Sequence, residues 1–194
     1  MGDTYVETLI SQHGAGTLFN TFTTAKRVIN DQAVLSYPRG YWAPGRMARI
    51  NVRGALSNIV TTPGTVQFLL KLGTVASPIT VFDSGVVQLN ATAHTTLPFG
   101  LEVTLRSDTE GSSTNAKLFG HGEVSGIMFT LTAGQVDSVQ GHQIIRVPQT
   151  APVLGAGFDS TVVTDLDFWM GFSISNAGNG VRIDQYWSED LGIS

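Results

Sequence analysis

Apolar residues recur at every second position through long parts of this chain, and this period is the feature that most constrains its fold. From residue 97 to residue 105, the odd positions carry Leu, Phe or Val, and the positions between them carry Pro, Gly, Glu and Thr. Successive side chains of a β-strand point to opposite faces, so such a segment buries one face and exposes the other. The segment therefore predicts a strand with one side against a core.

The same period appears in other parts of the chain, and long helical periods are missing. Clear alternation covers 48–52, 66–72, 168–174 and 181–183. Weaker strands are predicted at 6–10, 18–29, 79–82, 86–89, 118–129 and 143–147. The 22 Gly and 7 Pro residues interrupt these runs at short intervals, as the turns of an all-β protein do.

A glycine-rich and asparagine-rich segment separates the last two alternating runs. Residues 176–180 read Asn-Ala-Gly-Asn-Gly. Asn-Gly adopts positive φ readily and is the commonest signal for a tight two-residue turn. The segment predicts a β-hairpin that joins the two last strands.

The number of strands and the length of the chain predict the architecture. About eight to ten strands in a single domain favour an all-β fold, a two-sheet antiparallel sandwich that is jelly-roll-like. An immunoglobulin-like sandwich is disfavoured because the chain has 194 residues and no cysteine. Residues 31–194 are assigned to the sandwich. Residues 1–30 alternate weakly and are interpreted as an N-terminal arm, an extra edge strand or an ordinary first hairpin.

Charge and cysteine content exclude several classes of function. With 11 Lys and Arg against 15 Asp and Glu, the formal net charge is −4, and nucleic-acid binding requires a basic surface instead. The absence of cysteine excludes disulfides, thiol catalysis and cysteine-ligated metals. The apolar runs are too short for a membrane span. We therefore expect neither direct nucleic-acid binding nor membrane insertion.

Candidates for catalysis are few. His121 and Glu123 are two residues apart on one predicted strand face, which is half of a metal site or, more commonly, a solvated face. Asp165 and Asp167 precede a strand that looks buried, and a glycosidase requires such a carboxylate pair across a cleft. Loop solubility or a calcium contact explains them equally well. We expect no enzymatic activity, no cofactor and no metal.

The segment 36–46 carries the strongest signal for a partner, because three aromatic residues and two arginines occur within it. Aromatic rings and guanidinium groups give large contact areas at low entropic cost. The alternative is a loop folded over the end of the core with its rings buried. Arginines on the outward face of the next strand make a basic stripe for an acidic partner, or else an ordinary solvated face. The candidate partner-binding residues are Tyr41, Trp42, Arg46, Arg49 and Arg53.

The closing segment, 165–189, reads DLDFWMGFSISNAGNGVRIDQYWSE and ends in a strand with the sequence VRIDQY. It resembles the closing hairpin of small jelly-roll virion structural proteins of tailed bacteriophages. The segments GTVQFLLKLG (64–73), VFDSGVVQL (81–89) and LPFGLEVTLR (97–106) resemble the same family. The resemblance extends over about 45–190, and residues 1–44 have no clear counterpart in it.

This resemblance implies a structural protein of the virion. The first expectation is a capsid cement or decoration subunit on the capsid surface. It would bridge neighbouring copies of the major capsid protein or another virion protein, as a homo-oligomer with a trimer favoured. The alternative is a carbohydrate- or receptor-binding module of a tail or head fibre, with Tyr41 and Trp42 as the stacking platform. A hydrolase with paired carboxylates is the third hypothesis.

Overall fold

The computed structural model describes residues 8–30, 33–59, 64–130 and 142–193, with the backbone alone for 8–13 and 193. This part of the chain forms strands and no helix, so no helix in it has the length and apolarity to cross a membrane. The strands are β1 (Thr8–His13), β2 (Phe19–Asn20), β3 (Lys26–Arg27), β4 (Leu35–Tyr37), β5 (Arg46–Asn58), β6 (Thr65–Thr74), β7 (Ser77–Leu89), β8 (His94–Thr109), β9 (Lys117–Gly126), β10 (Phe129–Thr130), β11 (Gln143–Val147), β12 (Thr164–Phe172) and β13 (Gly180–Ile193).

The strands form two antiparallel sheets that pack against each other. The seven-stranded sheet has the order β1-β13-β5-β8-β9-β11, and β2 also pairs with β13. The six-stranded sheet has the order β10-β7-β6-β12-β3, and β4 also pairs with β12. Every described pair is antiparallel, as expected for a chain without helical crossovers.

The strand pairs are nested along the chain, and this nesting identifies the topology. β6 pairs with β7, β5 with β8, β4 with β12 and β1 with β13, so each pair encloses the previous one in sequence. Successive pairs lie alternately in the two sheets. A long antiparallel ribbon is thus wrapped into two layers, which is the jelly-roll arrangement. The predicted all-β, jelly-roll-like sandwich is confirmed, with β9 and β11 extending one sheet beyond β8.

The core lies between the sheets and is filled by the alternating segments. In β8, the inward side chains of Phe99, Leu101 and Val103 are buried, and Glu102 between them is partly exposed. The ring of Phe68, from the six-stranded sheet, lies 6.0 Å from that of Phe99 in the opposite sheet, centroid to centroid. Aromatic contacts of this kind join the two layers in addition to the apolar area they bury.

The strongly alternating segments lie in long strands, whereas several of the weaker predicted strands are merged, divided or shortened in the structure. The predicted strands 79–82 and 86–89 are one strand, β7, whose pairing is irregular near Gly85, a residue with φ of +67°. The predicted strand 118–129 divides into β9 and β10, which belong to different sheets. The segment 18–29 contains only the short strands β2 and β3. In the prediction 6–10, residues 6 and 7 lie outside the described residues.

The predicted hairpin at 176–180 is wrong, because β12 and β13 belong to opposite sheets. The Asn179 amide donates to the Asn176 carbonyl at 3.0 Å, and no glycine of 176–180 has a positive φ. The buried Asn179 side chain donates to the Ile174 carbonyl at 3.0 Å and accepts from the Ile59 amide at 3.1 Å. These bonds hold a crossover turn. The residues of 176–180 are compatible with a hairpin turn and with a crossover turn. The strands with which β12 and β13 pair decide which of the two forms.

The N-terminal residues that are described lie along both sheets. β1 covers the edge of β13, with Thr8 opposite Glu189 and His13 opposite Gln185. β3 pairs with β12 at the edge of the other sheet. In the described part of residues 1–30, β1 and β3 are thus edge strands of the two sheets. Residues 1–7 lie outside the described part.

Candidate partner-binding site

The aromatic residues of the segment 36–46 form one cluster at the end of the sandwich where β4 ends and β5 begins. The ring centroids of Tyr37, Tyr41 and Trp42 lie 4.6 to 4.9 Å apart. Tyr37 is 0% exposed and Trp42 is 1% exposed. The loop therefore folds over the core with its rings buried, and Trp42 has no free face on which a sugar could stack.

Polar contacts within the chain hold Tyr37 and Arg46 beside the aromatic rings. The hydroxyl of Tyr37 donates to the Ser188 hydroxyl at 2.7 Å, and burial raises the pKa of Tyr37 well above its usual range. Arg46 lies over the Tyr41 ring, with its Cζ 4.6 Å from the centroid, and donates to the carboxylate of Asp190. Burial, followed by the negative charge of Asp190, raises the pKa of Tyr41 to about 12. Arg46 thus holds the loop through contacts within the chain.

The predicted basic stripe is divided by its ion pairs. The guanidinium of Arg49 lies 3.4 Å from a carboxylate oxygen of Glu102 and 3.4 Å from one of Glu189. Arg53, further along β5, is exposed and has no carboxylate partner among the described residues. Of the three arginines, only Arg53 keeps an uncompensated charge toward the solvent.

The structure brings three loops together next to the aromatic cluster, and the sequence analysis did not identify this arrangement. Ser160, 4% exposed, joins them. Its carbonyl accepts from the Gly40 amide at 2.8 Å, its hydroxyl accepts from the Gly111 amide at 3.0 Å, and its own amide donates to the Gly111 carbonyl at 3.0 Å. We call this region the Ser160 loop end, and it comprises residues 38–45, 110–115 and 159–163.

The surface of the Ser160 loop end is partly apolar. Val162 is 51% exposed and its neighbour Val163 is 64% exposed. Asp159 holds the loop that carries them, because its carboxylate accepts hydrogen bonds from the Thr161 amide at 2.9 Å and from the Thr161 hydroxyl at 2.6 Å. The bond from the hydroxyl lowers the pKa of Asp159. The sequence signal for this surface is a pair of adjacent valines outside any alternating segment. No strand face is available there to bury either side chain.

A cavity of about 320 Å³ also opens at the Ser160 loop end. Arg39, Glu110 and Thr161 line it, together with the backbone of Gly40 and Gly111. The end therefore offers apolar surface from two valines and a polar recess beside them, on a frame of backbone hydrogen bonds.

The predicted carboxylate pair lies on one strand face but not in a cleft. Asp165 accepts a hydrogen bond from the Ser36 hydroxyl, whereas Asp167, 4% exposed, pairs with the Nε of Arg27 at 2.9 Å. Three cavities lined by described residues include neither aspartate, and each has at most one carboxylate among the described residues of its lining. The glycosidase arrangement expected of this pair is thus not formed.

No further ligand among the described residues completes the predicted half metal site at His121 and Glu123. His121 lies with its ring 6.3 Å from that of Phe119 on the outer face of β9. Among the described residues, no group of three or more His, Asp or Glu side chains is placed to hold a metal ion. The arrangement at His121 and Glu123 is that of a strand face.

Comparison with known proteins assigns no family to this chain. No protein-family model matches it, and no curated protein matches it. The function proposed below rests on the fold, the surfaces just described and the resemblance of the strand sequences.

Proposed function

We propose that this chain is a non-enzymatic structural protein of a tailed-phage virion, a cement or decoration subunit that binds neighbouring capsid proteins. The jelly-roll sandwich agrees with the resemblance of segments 64–106 and 165–189 to that family. The observation that carries the proposal is the pair Val162 and Val163, exposed together on a loop end that hydrogen bonds hold in place. Such a surface suits contact with another protein.

The contact is favoured by the rigidity of the Ser160 loop end. Binding costs free energy for every loop that must become ordered. Here the backbone bonds among Ser160, Gly40 and Gly111 already fix the loops, and the aromatic cluster holds the 38–45 loop from below. Burial of the two valines contributes roughly 25 cal/mol per Å² of apolar surface removed from water. Many copies on a lattice add avidity to a modest contact.

A cosedimentation assay tests the proposal. The purified protein, sized first in solution, is mixed with heads of the encoding phage that lack it, and the bound fraction is measured against concentration. We expect saturable binding by the natural chain. Val163→Asp should weaken it about tenfold or more, because a carboxylate would be buried without a partner in the contact.

Val153→Asp is the matched control, because Val153 is also a loop valine and is 77% exposed, but lies outside the Ser160 loop end. This variant should bind heads as the natural chain does. Absence of head binding by the natural chain refutes the virion role. Equal binding by Val163→Asp and the natural chain refutes the assignment of the contact to the loop end.

A further inference from the structure

We propose that the cavity beside Arg53 binds a glutamate or aspartate side chain of an acidic segment in a partner protein. The inference deepens the proposed function by naming the chemistry of the partner. Arg53 lies on β5, an interior strand of the seven-stranded sheet, between β13 and β8. Its side chain is exposed on the outer face of that sheet.

The cavity holds about 280 Å³ and is open to solvent. Its polar lining comes from the guanidinium of Arg53, Ser125 and His142, and its apolar lining includes Pro98 and Ile127. Three hydrogen-bonding side chains thus surround a recess whose other wall is apolar.

Gly100 positions the guanidinium in this recess. It lies opposite Arg53 on β8 and opposite Ser125 on β9. A Cβ at Gly100 would lie 2.1 Å from Nη1 of Arg53 and 3.1 Å from Oγ of Ser125. The missing side chain therefore leaves the space above Gly100 to the guanidinium, with the Ser125 hydroxyl beside the same position.

The charge of Arg53 favours a carboxylate. On the same sheet, Arg146 and Arg182 have carboxylate partners at 3.2 and 2.8 Å, and Arg49 has two at 3.4 Å. Arg53 has none among the described residues, in a chain with net charge −4. A guanidinium presents donors in a planar fork that matches the two oxygens of a carboxylate.

An acidic peptide fits this cavity better than an acidic sugar. Sugars bind on exposed aromatic faces, but the aromatic rings among the described residues of the lining are the His142 imidazole and that of Phe99, which is 4% exposed. The wall at Pro98 and Ile127 suits the methylene groups of a glutamate stem. Its carboxylate would then meet the Arg53 guanidinium.

Binding can be measured on the isolated protein by amide chemical shifts. The probe is a capped peptide that contains two glutamates, and its glutamine counterpart is the peptide control. We expect saturable shifts at Gly100 and Ser125 with the glutamate peptide alone. Arg53→Gln should weaken binding about tenfold or more, since a charge-assisted hydrogen bond is lost. Gly100→Ala keeps the charge, displaces the guanidinium and should weaken binding also.

Arg106→Gln is the matched control: it removes the same charge from an exposed arginine on β8, outside the cavity, and should bind the peptide as the natural chain does. Equal loss in this variant, or equal binding of the glutamine peptide, overturns the proposal. Saturable binding of glucuronic acid without binding of the peptide overturns the choice of a protein partner. The peptide assay contains no phage heads, so a failure of peptide binding can be distinguished from a failure of head binding.

Discussion

The aromatic loop before β5 and the outward face of β5 are predicted together as a partner site, but the structure exposes them to very different extents. The aromatic loop is closed onto the core: Trp42 is 1% exposed, and the partly exposed Arg46 is paired with Asp190. Further along the strand, Arg53 is exposed and beside a cavity. Residue type alone did not separate them, because aromatic residues and arginine are enriched in interfaces, whereas large aromatic side chains are also buried in protein cores.

This difference shows which side chains remain available to a partner after the chain has folded. A side chain whose contacts are satisfied within the chain has little left for a partner. Arg46 and Arg49 are both compensated by carboxylates, whereas Arg53 is not. The same reasoning directs attention from Trp42 to Val162 and Val163, which are exposed on the loop that Ser160 joins to Gly40 and Gly111.

The largest expected effect is at Trp42. Trp42→Ala should lower the free energy of unfolding by about 3–5 kcal/mol, since it removes a buried indole and leaves a cavity in the cluster with Tyr37 and Tyr41. Denaturant unfolding measures the change. Val153→Ala, at an exposed loop position, should stay within about 0.5 kcal/mol of the natural chain. If the Trp42→Ala protein kept the natural stability but bound heads more weakly, the aromatic loop would be the contact with the phage head after all.

An intermediate effect is expected from the ionisation of Tyr41. Its pKa is about 12 in the folded chain against 10.0 for the free side chain, so the unfolded state loses the proton first. Its contribution to stability is therefore complete below pH 10 and is lost as the pH rises from about 10 to about 12. Unfolding measured from pH 9 to 12 should show this decline.

Tyr41→Phe is the control for that measurement. Tyr37 and Tyr186 also have raised pKa values and continue to contribute, so the decline should become shallower in the variant and not vanish. An identical pH profile for the two proteins would show that Tyr41 ionises as readily in the folded chain as in the unfolded chain.

The smallest effect is expected at Arg49. Its ion pairs with Glu102 and Glu189 lie on the partly solvated face, where such pairs contribute about 0–1 kcal/mol. Arg49→Gln should therefore change the unfolding free energy by less than about 1 kcal/mol, and the change should shrink in high salt. A loss comparable to that of Trp42→Ala would erase the distinction between the two regions.

Much of the fold could be predicted from the chain, and less of the site. The run 97–105 gave both the strand β8 and its buried face, because side-chain direction in a strand depends only on position. The turn at 176–180 was misread because Asn179 stabilises a crossover as well as it would a hairpin. The Ser160 loop end was missed because its loops are distant in sequence and meet only through folding.

By itself, the two-residue period of the chain determined that strands form, which of their faces are buried and that two sheets enclose the core, since these follow from local backbone geometry and the cost of exposing apolar surface. The tertiary structure alone decided which sheet each strand joins, which arginine keeps a free charge and which aromatic rings reach the solvent. Those outcomes depend on contacts between residues such as Arg46 and Asp190, which lie at opposite ends of the sandwich sequence and become neighbours only when the sheets close.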